Sequence, residues 1–134
     1  MSDTHGITGN WKGHYTYQTN PDEGSNFDAI FVEHEASLKG EIRDEGLLGH
    51  AVVDGTFVYP AVNFIKTYFT KGLDPISYQG TMSGDGKTIV GKWTITSKGG
   101  TVLRGSWMAH RTDQDEQKKQ KETQRAKQTL ENVR

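Results

Sequence analysis

The chain has 134 residues, 32% of them apolar and 25% charged, with a formal net charge of -1 and no cysteine. That length suits one domain with a modest core. The charge balance speaks against a general nucleic-acid binder, which needs a basic surplus to displace counterions. Without cysteine there is no disulfide framework, thiol catalyst or thiolate metal site.

The opening "MSDTHGITGN" lacks the basic start and apolar run of a signal peptide, and no stretch reaches the length of a membrane span. The expectation is a cytoplasmic protein with no membrane partner, in which residues 1–8 form a short tail. "GNWKGHYTY" follows at 9–17. Two glycines disfavour a helix there, and the aromatic residues fall two apart, which is the period of a strand.

From that point to Arg111, apolar alternation and turn residues recur about every dozen residues. They predict strands over 9–18, 26–34, 37–43, 47–54, 57–69, 75–82, 87–96 and 101–111. The links are "TNPDEGS", "EAS", "DEG", a turn between Asp54 and Pro60, "TKGLD", "SGDGK" and "SKGG". Such hairpin-length links join antiparallel neighbours, because a parallel pair needs a long crossover. An eight-strand meander can close into a barrel or fold into a two-sheet sandwich.

The glycines favour the barrel. Gly-x-(large apolar) recurs at Gly9/Trp11, Gly13/Tyr15, Gly80/Met82, Gly91/Trp93 and Gly105/Trp107. Residues two apart share a face, so each glycine opens space beside a large inward side chain. A small barrel needs strongly coiled strands and an interior of mixed small and large residues. The expected fold is therefore all-β: an eight-stranded antiparallel up-and-down barrel over 9–111. Residues 112–134 form a charged extension rich in Gln, Lys and Glu, without a continuous apolar stripe. It reads as a solvated helix or a disordered tail, with a partner-binding helix as the alternative.

Gly9-Asn10-Trp11 on the first strand and "GSWMAHR" on the last resemble the shared signature of the calycins: the lipocalins, fatty-acid-binding proteins and avidins. The resemblance implies that Trp11 packs under one barrel end with a basic residue across its ring, Arg111 first and Arg104 second. A guanidinium can stack on indole while bonding to strand-end carbonyls. Within the calycins, "VNFIKTYFTKGLDPISYQGTMSGDGKTIVGKWTI" is most similar to avidins. Biotin binding is not implied, because Gly13 and Tyr17 stand where a small hydrogen-bonding side chain would be wanted.

Motifs for chemistry are sparse. "GDGKT" at 84–88 lacks the earlier glycine of a phosphate loop and runs into a strand, so it is a hairpin turn. His5, His14, His34, His50 and His110 show no metal-ligand spacing, and His14 falls on the face opposite Trp11. Glu33, Glu35, Glu41, Asp44 and Glu45 cluster at two turns, where carboxylates are usually solvated. No Gly-x-Ser-x-Gly is present. No catalytic residue, metal ligand or particular cofactor is assigned.

The aromatic residues carry more. Tyr15, Tyr17, Phe31, Phe64, Tyr78 and Trp93 are each expected to face inward, and an eight-stranded barrel has room either for packed side chains or for one small ligand. The expected site is Tyr15, Tyr17, Phe64, Tyr78 and Trp93, with His50 at the rim if its strand has the right register. The expected function is non-enzymatic binding of a small, partly apolar ligand, hydrophobic or aromatic. The alternatives are an enzyme with tyrosine and histidine as acid and base, or a solid barrel acting as an interaction module.

Overall fold

Along Ala61–Tyr68 every second side chain, Val62, Phe64, Lys66 and Tyr68, is buried, and the residues between them are exposed. That period of two is the mark of a strand with one face on a core. It holds through the computed structural model, which describes residues 6–46 and 49–112. The strands are β1 (Gly9–Tyr17), β2 (Gly24–His34), β3 (Ser37–Asp44), β4 (His50–Val58), β5 (Ala61–Tyr68), β6 (Ile76–Met82), β7 (Thr88–Thr96) and β8 (Val102–Arg111). Each pairs antiparallel with the next, and β8 returns to β1, closing the barrel. The eight-stranded antiparallel meander barrel read from the sequence is the fold observed.

One boundary differs. A turn was expected somewhere between Asp54 and Pro60, with a new strand from 57. Instead β4 runs through Gly55 to Val58, and Val58 pairs with Ala61 across Tyr59 and Pro60. The Asp-Gly pair that suggests a turn lies inside a strand, because Gly55 stands directly opposite Phe64 and leaves room for it.

The same device recurs around the wall. Gly13 is paired with Phe27, Gly40 with Phe31, Gly105 with Trp93 and Gly91 with Trp107. A Cβ on Gly13 would lie 2.1 Å from the Phe27 ring, and one on Gly105 would lie 2.4 Å from Trp93. The space each glycine opens is thus filled from the neighbouring strand rather than from two residues along its own. Trp107 spans Gly91 to reach β6, where its Nε1–H donates to the Gln79 carbonyl at 3.0 Å. Trp93 spans Gly105 to reach β1, where its Nε1–H donates to the Thr16 carbonyl at 3.1 Å.

The barrel has two unlike ends. At the end where β1 begins and β8 finishes, Trp11 is 1% exposed and Ile7 is fully buried. The Trp11 Nε1–H donates to the Ile7 carbonyl at 2.9 Å. Arg111 covers the ring, its guanidinium carbon 4.5 Å from the ring centroid. It also donates to the carbonyls of Gly6, Thr8 and Gly86. Trp11 is therefore the plug expected of it, with Arg111 rather than Arg104 as its partner. Above the plug, Phe31, Phe64, Tyr78 and Trp107 fill the middle, with ring centroids 4.8 to 5.8 Å apart. The extension beyond Thr112 and the first residues of the N-terminal tail lie outside the described residues.

Candidate functional site

At the opposite end the barrel is not filled. A cup of about 340 Å³ opens there, walled by Tyr15 and Tyr17 of β1, Tyr68 of β5, Ile76 and Tyr78 of β6, Trp93 and Ile95 of β7 and Leu103 of β8. Gly72, Leu73 and Asp74 reach it from the β5–β6 connection, and Ser97 and Thr101 from the β7–β8 connection. Strand parity brings these residues together: Tyr15 and Tyr17 share the Trp11 face, and Tyr78 and Trp93 are paired across β6 and β7.

The aromatic walls are set edge to face. Tyr15 and Tyr17 meet Trp93 at centroid distances of 6.3 and 5.2 Å with interplanar angles of 84° and 89°. These are favourable arrangements for rings with negative faces and positive edges. Trp93 cannot swing away without losing its bond to the Thr16 carbonyl and its seat against Gly105.

The floor holds a group that the sequence reading missed. Lys66 is fully buried, and its ammonium donates to both carboxylate oxygens of Asp44, at 2.8 and 2.9 Å. The Tyr68 hydroxyl donates to Asp44 Oδ2 as well. Four rings surround the ammonium, with centroids at 4.7 Å (Tyr68), 5.5 Å (Tyr15), 5.7 Å (Tyr78) and 5.9 Å (Phe27). Two opposite charges taken out of water together leave the floor neutral overall.

Burial is the main influence on Lys66, Tyr15, Tyr68 and Tyr78. It lowers the Lys66 pKa, against the opposing pull of Asp44. It raises the Tyr15 phenol to about 12, with the Asp44 charge adding to the rise. Tyr68 and Tyr78 are pushed up too, again chiefly by burial. The phenols therefore stay protonated at neutral pH. The Tyr68 proton is directed at Asp44, which leaves the lone pairs of that oxygen for the cup.

Asp44 had been placed with solvated turn carboxylates, and that is corrected: it is 4% exposed. Its position could have been found by parity. Leu38, Gly40, Ile42 and Asp44 lie two apart, as do Val62, Phe64, Lys66 and Tyr68. A lysine and an aspartate on inward positions of one small barrel have to be paired, since a lone buried charge is too costly.

Of the residues expected at the site, Tyr15, Tyr17, Tyr78 and Trp93 come together in the cup. Phe64 does not reach it: it lies a layer deeper, stacked on Tyr78 at 4.8 Å and tilted against Phe31. His50 is on the outside. Ala51 and Val53 take the inward positions of β4, so His50 points to solvent and stacks on Phe69 at 6.5 Å and 12°. His14, His34 and His110 are also exposed. An acid–base pairing of histidine with tyrosine therefore finds no inward histidine among the described residues. The "GDGKT" segment is a turn, with Asp85 accepting from the Ser83 hydroxyl at 2.6 Å and from the Lys87 amide at 3.0 Å.

No protein-family model matches the chain, and no curated protein matches it either. Fold and site together define a closed meander barrel with one plugged end and one aromatic cup over a neutral, charged-pair floor.

Proposed function

We propose that this protein is a calycin-like binding protein that takes up a small, partly apolar molecule in the cup, without performing chemistry on it. The observation that carries this reading is the unfilled end, where Tyr15, Tyr17, Tyr78 and Trp93 wall a space with apolar neighbours Ile76, Ile95 and Leu103. A volume of about 340 Å³ is at the small end for ligand pockets. Burial against rings would supply affinity, and phenol oxygens would orient the ligand. The Gly9-x-Trp11 start with Arg111 laid over the ring supports the calycin assignment.

The test is a fluorescence titration of the full chain with fatty acids, retinoids, tetrapyrroles and flavins, because Trp93 borders the cup. A saturable change with at least one compound is expected. It should vanish in Leu103→Arg, which puts a bulky charge at the mouth on a half-exposed position. No response to any compound, together with native mass spectrometry showing no retained small molecule, would return the barrel to the solid-module alternative.

A further inference from the structure

Resting on the cup as a ligand site, we infer that its ligand is a flat aromatic amine carrying a positive charge, with Asp74 receiving the ammonium at the mouth. Among the residues lining the cup, Asp74 alone has a charged side chain. The nearby cation, Lys66, is sealed and held by both oxygens of Asp44. An anion entering the cup would shed water and find no positive partner, which is costly. A cation would find a carboxylate among aromatic walls.

The rings point the same way. A cation within about 6 Å of a tyrosine or tryptophan centroid is attracted by the negative face of the ring. The floor already holds one ammonium in that manner, with four rings 4.7 to 5.9 Å from the Lys66 nitrogen. Three of those rings, Tyr15, Tyr68 and Tyr78, also line the cup, beside Tyr17 and Trp93.

The direction of the hydrogen bonds completes the pattern. Tyr68 gives its proton to Asp44, so toward the cup its oxygen can only accept. Tyr78 is 2% exposed, and no side-chain nitrogen or oxygen among the described residues is both sealed and unpaired. Its hydroxyl has no hydrogen-bond partner among the described residues and is therefore not sealed, and Tyr78 lines the cup. The Tyr78 hydroxyl can donate or accept, whereas the Tyr68 oxygen is suited by an N–H donor, and the volume limits the ligand to one or two rings.

Three isosteric probes decide the matter by calorimetry on the full chain at pH 7: tryptamine (cation), 3-ethylindole (neutral) and indole-3-acetate (anion). Tryptamine should bind about ten-fold more tightly than 3-ethylindole, and indole-3-acetate more weakly than either. Asp74→Asn should weaken tryptamine by about five-fold and leave 3-ethylindole unchanged. Equal binding of tryptamine and 3-ethylindole, tighter binding of indole-3-acetate, or no effect of Asp74→Asn overturns the amine assignment while leaving the cup a ligand site. Failure of all three probes to bind also overturns it, and the broader titration above then decides whether the cup binds anything.

Discussion

Arg111 lies over Trp11, its guanidinium carbon 4.5 Å from the ring centroid, while its nitrogens donate to the carbonyls of Gly6, Thr8 and Gly86. One side chain on the last strand thus ties together the segment before β1, the turn before β7 and the indole that closes the barrel.

Trp11→Ala should cost about 3–5 kcal/mol, since it empties the plugged end. Arg111→Lys should cost about 1–2 kcal/mol, because an ammonium cannot stack on the ring and serve three carbonyls at once. Urea unfolding followed by circular dichroism measures both. A loss below about 1 kcal/mol for Trp11→Ala would remove the plug from the account.

Gly105→Ala is expected to destabilise by at least about 1–3 kcal/mol, because the new methyl would sit 1.9 Å from the Thr16 carbonyl oxygen and 2.4 Å from the Trp93 ring. It should also shift Trp93 emission, as that ring is pushed from its seat. Gly99→Ala is the control: nothing lies within 4 Å of its added methyl, so the change should stay within about 0.5 kcal/mol.

The Lys66–Asp44 pair predicts strong non-additivity. Asp44→Leu alone should cost about 3–5 kcal/mol by leaving a buried ammonium uncompensated. Combining it with Lys66→Met and Tyr68→Phe removes the stranded charge and the stranded hydroxyl together. The triple variant should recover most of that loss, as apolar replacements of whole buried pairs commonly do. A triple variant as unstable as the single one would show that the pair is not the source of the effect.

Stability should fall in alkali. Tyr15 titrates at about 12 in the fold, and Tyr68 and Tyr78 are raised as well, whereas an unfolded chain loses such protons near pH 10. Between about pH 10 and 12 the folded state holds more protons than the unfolded one, so stability drops as pH rises, and below pH 10 this contribution is fully present. Lys66 acts the other way. Its lowered pKa makes the unfolded chain the better proton binder up to about pH 10.5, so it opposes the decline only below that point. Melting curves from pH 8 to 11.5 should show Tm falling steeply above pH 10, with a shallower fall in Tyr68→Phe.

Much of the fold was legible because turn residues and period-two alternation agree along almost the whole chain. Gly9-x-Trp11 and Arg111 marked the plug in advance. The strand predicted from 57 begins too early: β4 continues through Gly55, which faces Phe64 on the next strand, and the turn falls at Tyr59-Pro60, the end of the expected range. The placement of Tyr15, Tyr17, Tyr78 and Trp93 along the cup was legible by parity. Phe64 has the right parity but the wrong depth, and depth depends on how the strands stagger around the barrel. His50 failed on register, one residue from the inward position. Lys66 and Asp44 were passed over because charged residues are ordinarily solvated, and only their shared inward parity betrays the pair.

The plugged end has a practical consequence. β1 enters from that end and β8 leaves there, with Thr112 still bonded to Asn10. Gly6 and Thr112 therefore both lie on the side away from the cup. An affinity handle, a fluorescent fusion or a tether to a sensor surface joined directly at Gly6 or Thr112 starts from the plugged side and not from the mouth. The molecule is polar in the mechanical sense: one side is an anchor and the other is an opening.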